Sequence, residues 1–472
     1  MNVLFVAAEA VPFCKTGGLA DVAGELPRAL LPLLPKKSKI ISFLPKYAVI
    51  DAGKFKLEKS GDVLCHKDGE HWTCFTQNEK FYNRPGIYGE KGSDYPDNDE
   101  RFSFYCRSAL EFCKAAGFVP DIVHCHDWQT GLIPAYLKTL YAKDSFFKKT
   151  KSIFTIHNIA YQGNFPKASL EKTGLGWETY TPDKVEFYDH VSFLKAGLVY
   201  SDVVTTVSPR YAREIQTTNK FGRGMEGVLR HRPGRVKGIL NGIDETNWNP
   251  ANDPALDPKF SLKDKDLFEK RKAGKLKLQK EVGLAVDDKA PLVGMVTRLD
   301  PQKGFDMVAE MIPKISKSHP KVQWIVLGTG APDIEKALEK LVVNLRGLLV
   351  FFKGFNDPLA HRIYAASDMF LMPSQFEPCG LGQMIAMKYG SIPVVTPTGG
   401  LADTVTLDKG FICPEISTPA LHKTMVKALA AFKNKARWKT LMKKAMASDF
   451  SWKKSARQYA ALYSKAAAVK SK

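Results

Sequence analysis

The feature that most constrains this chain is a series of short, uninterrupted apolar stretches that runs, breaks off and starts again. NVLFVAAE (from Asn2), KIISFLP (Lys39), DIVHCHD (Asp121), KSIFTIHN (Lys151) and DVVTTVS (Asp202) each end in polar residues. Continuous apolar runs of this length suit parallel strands covered on both faces. Between them, LADVAGELPRALLPLL and AREIQTT carry helical periodicity. The series breaks at ILNGIDETNWNP, Ile239–Pro250, where Asn-Gly and the prolines interrupt regular structure. It resumes with PLVGMVTRL (Pro291), QWIVLGTG (Gln323), LVFFKGF (Leu349), DMFLMPS (Asp368) and IPVVTPTGG (Ile392). MVAEMIPKISKSH, IEKALEKLVVNL and LGQMIAMKYG are the helices expected among them. At 472 residues the chain is too long for one core. Two successive doubly wound α/β domains are therefore expected, 1–245 and 246–454, with a tail helix over 455–472 completing the first. The break over Asn241–Asp253 is the expected hinge.

The hexapeptide TGGLAD occurs twice, at Thr16–Asp21 and Thr398–Asp403, each time between a strand and a helical pattern. Glycines there allow close approach of the backbone and positive φ. Amides at a helix start attract an anion, aided by the helix dipole. One copy per domain suggests one anionic ligand held from two sides, because open α/β sheets bind ligands beyond the carboxyl ends of their strands.

Composition narrows the function classes. No apolar run approaches the roughly 20 residues of a membrane helix, so no membrane partner is expected. The start, MNVLFVAAEAVPF, lacks a basic flank and reads as a buried strand, not a signal peptide. The eight cysteines are scattered, without a C-x-x-C pair, so neither a zinc site nor disulfide staples are expected, and a reducing cytoplasm is the simplest setting. The net charge of +20 is concentrated in part in Lys259–Lys280, read as a solvated loop or helix face. No nucleic-acid-binding pattern accompanies it, so nucleic acid is not an expected partner, whereas a small anionic substrate suits a basic protein.

KTGGLADV (Lys15–Val22), TIHN (Thr155–Asn158), VSPRYAREIQT, ILNGIDETNWNP, RLDPQKG (Arg298–Gly304) and FEPCGLGQ (Phe376–Gln383), in that order, resemble bacterial glycogen synthases and plant starch synthases. The resemblance runs from residue 2 to about residue 455. It implies a GT-B architecture, two Rossmann-like domains facing a central cleft, and a retaining glucosyltransferase. Such an enzyme moves glucose from ADP-glucose to the non-reducing end of an α-1,4-glucan, with no cofactor and no metal, in the cytoplasm or in a plastid stroma. Two alternatives stay open: a UDP-sugar transferase with another acceptor, and a catalytically weak glucan-binding relative.

The resemblance also assigns roles. Lys15, Gly17 and Gly18 would bind the nucleotide-sugar from one domain. Arg298, Lys303, Gly354, Gly380 and Leu381 would hold it from the other, the two cations meeting charge on the diphosphate as the glycosidic bond breaks. His157 would contact the transferred glucose, Glu377 would face its ring, and Asp127, in HCHDWQ, would lie toward the acceptor. Retention by double displacement needs a carboxylate nucleophile under the ring. The motifs supply none, so front-face substitution is expected, with the leaving phosphate taking the acceptor's proton. Metal-using sugar transferases of another fold employ Asp-x-Asp; Asp97–Asn98–Asp99 and Asp264–Lys265–Asp266 read instead as solvated loops.

Three positions depart from the family pattern: Gln375 where arginine is usual, Gly382 where threonine or isoleucine is usual, and Ile385 where a polar or aromatic ribose contact is common. Cys14 and Cys379 flank the two presumed phosphate turns, as buried thiols or as oxidisable ones of low pKa. Tyr95 and Trp128 are candidates for stacking on glucose or for core packing.

Overall fold

A computed structural model of the chain describes residues 1–90, 92–232 and 234–469. It forms two compact units, Met1–Gly242 together with the segment from Trp452 onward, and Ile243–Ser451.

The first unit is built on a nine-stranded sheet. Across it the strands run Lys237–Gly238, Val203–Thr206, Lys151–Ile156, Ile122–His126, Asn2–Val6, Lys39–Pro45, His71–Thr76, Val63–Asp68 and Glu58–Ser60. The first seven are mutually parallel; Val63–Asp68 runs antiparallel to them, and Glu58–Ser60 is antiparallel to Val63–Asp68 in turn. All five apolar runs of the first series form strands of this sheet. From Asn2–Val6 the chain builds one side of the sheet and then returns to build the other. The order therefore reverses between Asn2–Val6 and Ile122–His126, where a doubly wound sheet opens a crevice at its carboxyl edge.

The Gly18–Leu30 helix follows the first strand because Leu19, Val22, Ala23, Leu26 and Leu30 recur on one face, all buried. Leu26 and Leu30 share a core with Val3, Phe5 and Ile122, and with Tyr459 and Tyr463 of the Trp452–Ala468 helix. Fully burying a leucine contributes roughly 1.5–3 kcal/mol, so this helix pair is a principal support of the sheet. The expected tail helix starts at Trp452, and its last three positions, 470–472, lie outside the described residues.

The hairpin Val63–Asp68/His71–Thr76 turns at Gly69, whose φ of +55° suits glycine. It places Cys65 opposite Cys74, and the two form a disulfide with Cα atoms 4.1 Å apart. This corrects the expectation of a chain without disulfides: facing cysteines on adjacent antiparallel strands lie within bonding reach. The other six cysteines are free and buried.

The second unit has a six-stranded, all-parallel sheet in the order Leu349–Lys353, Gln323–Gly328, Leu292–Val296, Met369–Met372, Ile392–Val395 and Phe411–Ile412. Its order reverses between Leu292–Val296 and Met369–Met372. All five runs of the second series become strands. The chain enters and leaves this unit side by side, with the Ile243 amide donating to the Phe450 carbonyl at 2.9 Å.

The basic segment was expected to be solvated, but part of it forms the helix Leu267–Glu281, in which Arg271 and Lys275 are buried. Lys275 Nζ pairs with Asp368 Oδ2 at 2.7 Å and Arg271 donates to the carbonyls of Ala365 and Ser367. These two cations thus fix the approach to the Met369–Met372 strand. Asp97–Asn98–Asp99 is likewise no solvated loop. It opens the Asn98–Ala115 helix, Asp99 is buried against Lys172, and Asp97 pairs with Arg84. Asp264 does lie in a loop, where it pairs with Lys270.

Candidate active site

At the carboxyl edge of the first unit, the first TGGLAD copy starts a helix, with Gly17 as its extended N-cap. The expected anion is already supplied from within. Glu9 Oε2 accepts from the Thr16 amide, the Thr16 hydroxyl (2.9 Å) and the Gly17 amide (3.3 Å). Glu9 is buried, and burial raises its pKa against the pull of those donors. Among the described residues, the Gly17 amide is thus directed to Glu9. Gly18 stays exposed, with open space where a side chain would begin. Lys15 is also exposed, its Nζ 2.7 Å from Asp21 Oδ1. Sequence reasoning missed Glu9, although an acid inside the apolar AAEAVPF just before a glycine turn was a readable signal.

Asp127 and His157 follow the ends of neighbouring strands and meet. Asp127 Oδ1 accepts from the His157 amide at 2.7 Å and the Asn158 amide at 3.4 Å. Its backbone is held at φ +55° and ψ −177°, a region left almost wholly to glycine, so Asp127 carries conformational strain at the sheet edge. Burial pushes its carboxyl up to about 7, opposed by the two amides. His157 is nearly buried, and burial lowers its imidazole to about 3, so it is neutral. His157 Nε2 is hydrogen-bonded to His126 Nδ1 at 2.9 Å. Among the described residues, His157 Nδ1 has no partner, and it is not enclosed.

At the carboxyl edge of the second unit, Arg298 and Lys303 follow Leu292–Val296, and Ser374 and Glu377 follow Met369–Met372. They flank the reversal of strand order. Lys303 Nζ lies 2.6 Å from Glu377 Oε2, with side chains 15% and 8% exposed. Ser374 Oγ donates to the same oxygen at 2.9 Å. Gln302 ties the two loops together, donating to the Phe376 carbonyl at 3.0 Å and accepting from the Gln375 amide at 2.8 Å. Glu377 Oε1 has no partner among the described residues and is not enclosed. Arg298 is exposed. Gly354, at φ +122°, ends the Leu349–Lys353 strand, and Gly380, at φ +71°, turns the chain into the Gly382–Lys388 helix behind Leu381. Each expected residue of this unit therefore sits beyond the carboxyl end of a strand, and Lys303 and Glu377 are in direct contact.

The second TGGLAD copy departs from expectation. Gly399 and Gly400 are buried, and a Cβ at either would lie 1.9 Å from the carbonyl of Glu377 or Cys379 respectively. The Gly400 amide donates to the Glu377 carbonyl at 3.0 Å. These glycines admit the Glu377–Cys379 segment instead of an outside anion, and so position Glu377. The repeat serves two different ends.

Gln375 contributes its backbone amide to the loop tie just described. Gly382 sits in a tight place, where a Cβ would lie 3.3 Å from Met372 Sδ and from Tyr364 Oη. Ile385 is buried and apolar, and so offers no polar group for a ribose. Cys14 is buried with its thiol pushed up to about 12 by burial, which removes the reactive-thiol reading; Cys379 is buried as well. Trp128 is core, packed edge-on against Phe102 at 4.9 Å, and Tyr95 is half-buried, its hydroxyl accepting from the Gly86 amide. Among the described residues, no group of three or more His, Cys, Asp or Glu is placed to hold a metal, and no helix is long and apolar enough to cross a membrane.

A family model for starch synthase catalytic domains matches residues 2–231, and one for group 1 glycosyl transferases matches residues 278–444. A glycogen synthase of Elusimicrobium minutum is 44% identical, covering 98% of this chain and 99% of that protein. Glycogen synthase 2 of Geobacter sulfurreducens is 41% identical over 99% of each. Among solved structures, the catalytic domain of starch synthase IV from Arabidopsis thaliana, bound to ADP and acarbose, superposes with a TM-score of 0.89 at 34% identity and 99% coverage of both chains. A sucrose-phosphate synthase from Thermosynechococcus elongatus shares the fold, with a TM-score of 0.63 at 18% identity and 98% coverage of both. The two parallel-sheet units are those of the GT-B glycosyltransferase fold.

Proposed function

The chain belongs to the family of bacterial glycogen synthases and plant starch synthases, and from that premise we propose that it transfers glucose from ADP-glucose to the non-reducing end of an α-1,4-glucan with retention of configuration. The ADP and acarbose of the starch synthase neighbour support this choice of donor and of acceptor class. The observation that carries the reading is the Lys303–Glu377 contact at the reversal of strand order. It sets a cation for the leaving diphosphate beside a carboxylate for the sugar.

In this reading Arg298 and Lys303, with the amides near Gly380 and Leu381 of the same unit, meet the charge that grows on the departing phosphate; Lys15 and the Gly18 amide are the nucleotide-sugar contacts proposed for the first unit. Preorganised donors of this kind stabilise the transition state by roughly 3–4 kcal/mol each. Gly354 leaves room for the nucleotide. Within its own unit, each of Glu377 Oε1 and His157 Nδ1 is open to take a sugar hydroxyl. Asp127 acts through the backbone of His157. With Oδ1 committed to two amides and its carboxyl raised by burial to about 7, so that it keeps its proton much of the time at neutral pH, it is a poor nucleophile. That favours front-face substitution, in which the acceptor hydroxyl attacks on the side the diphosphate leaves and passes its proton to that phosphate. The cytoplasm is the proposed location.

The test is one assay of purified protein with ADP-glucose or UDP-glucose and glycogen. ADP release that requires glycogen and lengthens its chains supports the proposal. Glycogen binding without turnover, or turnover of UDP-glucose alone, overturns it. Trapping a covalent glucosyl group on Glu377 or Asp127 would overturn the front-face mechanism.

A further inference from the structure

We infer that His126 is a positioning residue that fixes the proton of His157 on Nδ1, so that His157 offers the sugar an N–H donor. The inference rests on the reading that His157 contacts the transferred glucose.

The two imidazoles end or follow neighbouring strands, Ile122–His126 and Lys151–Ile156, and share one hydrogen between His126 Nδ1 and His157 Nε2 at 2.9 Å. Burial holds both rings neutral. A neutral imidazole carries one N–H and one bare nitrogen. Only two arrangements are then possible. Either His126 Nδ1–H donates and His157 carries its own proton on Nδ1, or His157 Nε2–H donates and His126 carries its proton on Nε2.

The surroundings of His126 choose between them. Its Nε2 is buried without a hydrogen-bond partner, and its ring packs on Phe5 (4.3 Å between centroids) and on His124 (4.1 Å). His124 offers nothing, because its Nδ1 is bonded to Tyr463 Oη and its Nε2 to Thr155 Oγ1, each at 2.6 Å. A proton on His126 Nε2 would be a buried N–H with no acceptor, which costs the full desolvation of a donor. Placing the proton on Nδ1 turns it toward His157 and leaves a bare buried nitrogen; an acceptor without a partner also costs, but folded proteins tolerate it more often than a buried N–H without one. His157 has no such preference of its own, since its Nδ1 is open. The tautomer of the sugar-facing ring is therefore set by a neighbour whose other nitrogen faces the aromatic core.

The test uses the full chain with ¹⁵N-labelled histidine, imidazole signals being assigned by single replacement. The wild-type protein is expected to show His157 protonated on Nδ1 and bare on Nε2. His126→Leu removes the donor. His157 then shifts toward the Nε2–H form, and kcat falls by about tenfold, the worth of one neutral hydrogen bond in the transition state. KM for glycogen stays unchanged. His126→Asn keeps an N–H near the place of Nδ1 and restores most of kcat. A wild-type His157 protonated on Nε2 overturns the inference, as does equal loss in the Leu and Asn variants with the His157 tautomer unaltered. If His126→Leu does not fold, the wild-type spectrum decides alone. An unimpaired His157→Ala enzyme would sink the reading of His157 as a sugar contact while leaving the tautomer assignment standing.

Discussion

Replacing Lys303 with alanine does two things at once, and the structure separates them. It removes a point charge assigned to the leaving diphosphate, a loss of roughly 3–4 kcal/mol or 10²–10³ in rate. It also strips Glu377 of the ammonium 2.6 Å away, leaving a carboxylate 8% exposed with the Ser374 hydroxyl on the same oxygen. An uncompensated buried group of this kind costs about 1–3 kcal/mol. Glu377→Gln keeps the shape and still accepts from Ser374, but it frees Lys303. In the double variant no carboxylate is left uncompensated. Its loss in kcat/KM is therefore expected to fall short of the sum of the single losses by about 1–3 kcal/mol. The assay is glycogen-dependent ADP release at subsaturating ADP-glucose, each ratio converted to a free energy. Losses that add to within about 0.5 kcal/mol would refute the reasoning, because the two side chains would then act as strangers in the working enzyme.

Asp127→Asn should flatten the pH dependence of stability. The folded carboxyl, raised from 3.8 to about 7 by burial, keeps a proton that the unfolded chain has released, so wild-type stability falls as pH rises through that window. The full displacement is worth at most about 4 kcal/mol, and thermal midpoints across that window and past its upper end measure it; a variant with the wild-type slope refutes the assignment. Gly400→Ala should abolish most turnover by displacing the Glu377 loop, since its Cβ would lie 1.9 Å from the Cys379 carbonyl, whereas Gly18→Ala meets open space and should leave the fold intact. Comparing the circular dichroism and kcat of both variants checks this, and an active Gly400→Ala enzyme would count against it. Glu9→Ala should raise KM for ADP-glucose several-fold by loosening the Thr16–Gly17 turn, with kcat for bound donor less affected; an unchanged KM would show that the internal carboxylate does not order the turn.

Much of the fold could be read from the chain because parallel strands buried on both faces leave unbroken apolar runs, as Leu292–Val296 and Gln323–Gly328 show. The Val63–Thr76 hairpin escaped notice because its strands carry Lys67 and Asp68 toward solvent and have no such run. The Asn98–Ala115 helix was also missed. It is buried on most sides, with Arg101, Phe102, Tyr105 and Cys106 all enclosed, so its sequence lacks a clean polar face. Of the candidate site, the motifs made legible the placement of Lys15, Lys303 and Glu377 beyond strand ends. The site was not legible where distant segments decide the matter. That Gly400 packs on the Cys379 carbonyl, that Glu9 fills the Thr16 turn and that His126 backs His157 are facts of tertiary packing, and no spacing in the sequence encodes them.

The Trp452–Ala468 helix has a bearing on how the protein comes into being. Its tyrosines close the core of the first unit, and Tyr463 holds the first histidine of the buried row, yet it leaves the ribosome only after all of Ile243–Ser451. Domains generally mature as units in the order of their synthesis. Here the unit begun first is finished last: the sheet that carries His157 waits, one helix short, while the intervening unit is translated. A nascent chain stalled anywhere within Ile243–Ser451 should expose that unfinished apolar face to chaperones, even though every strand beside it has already been made.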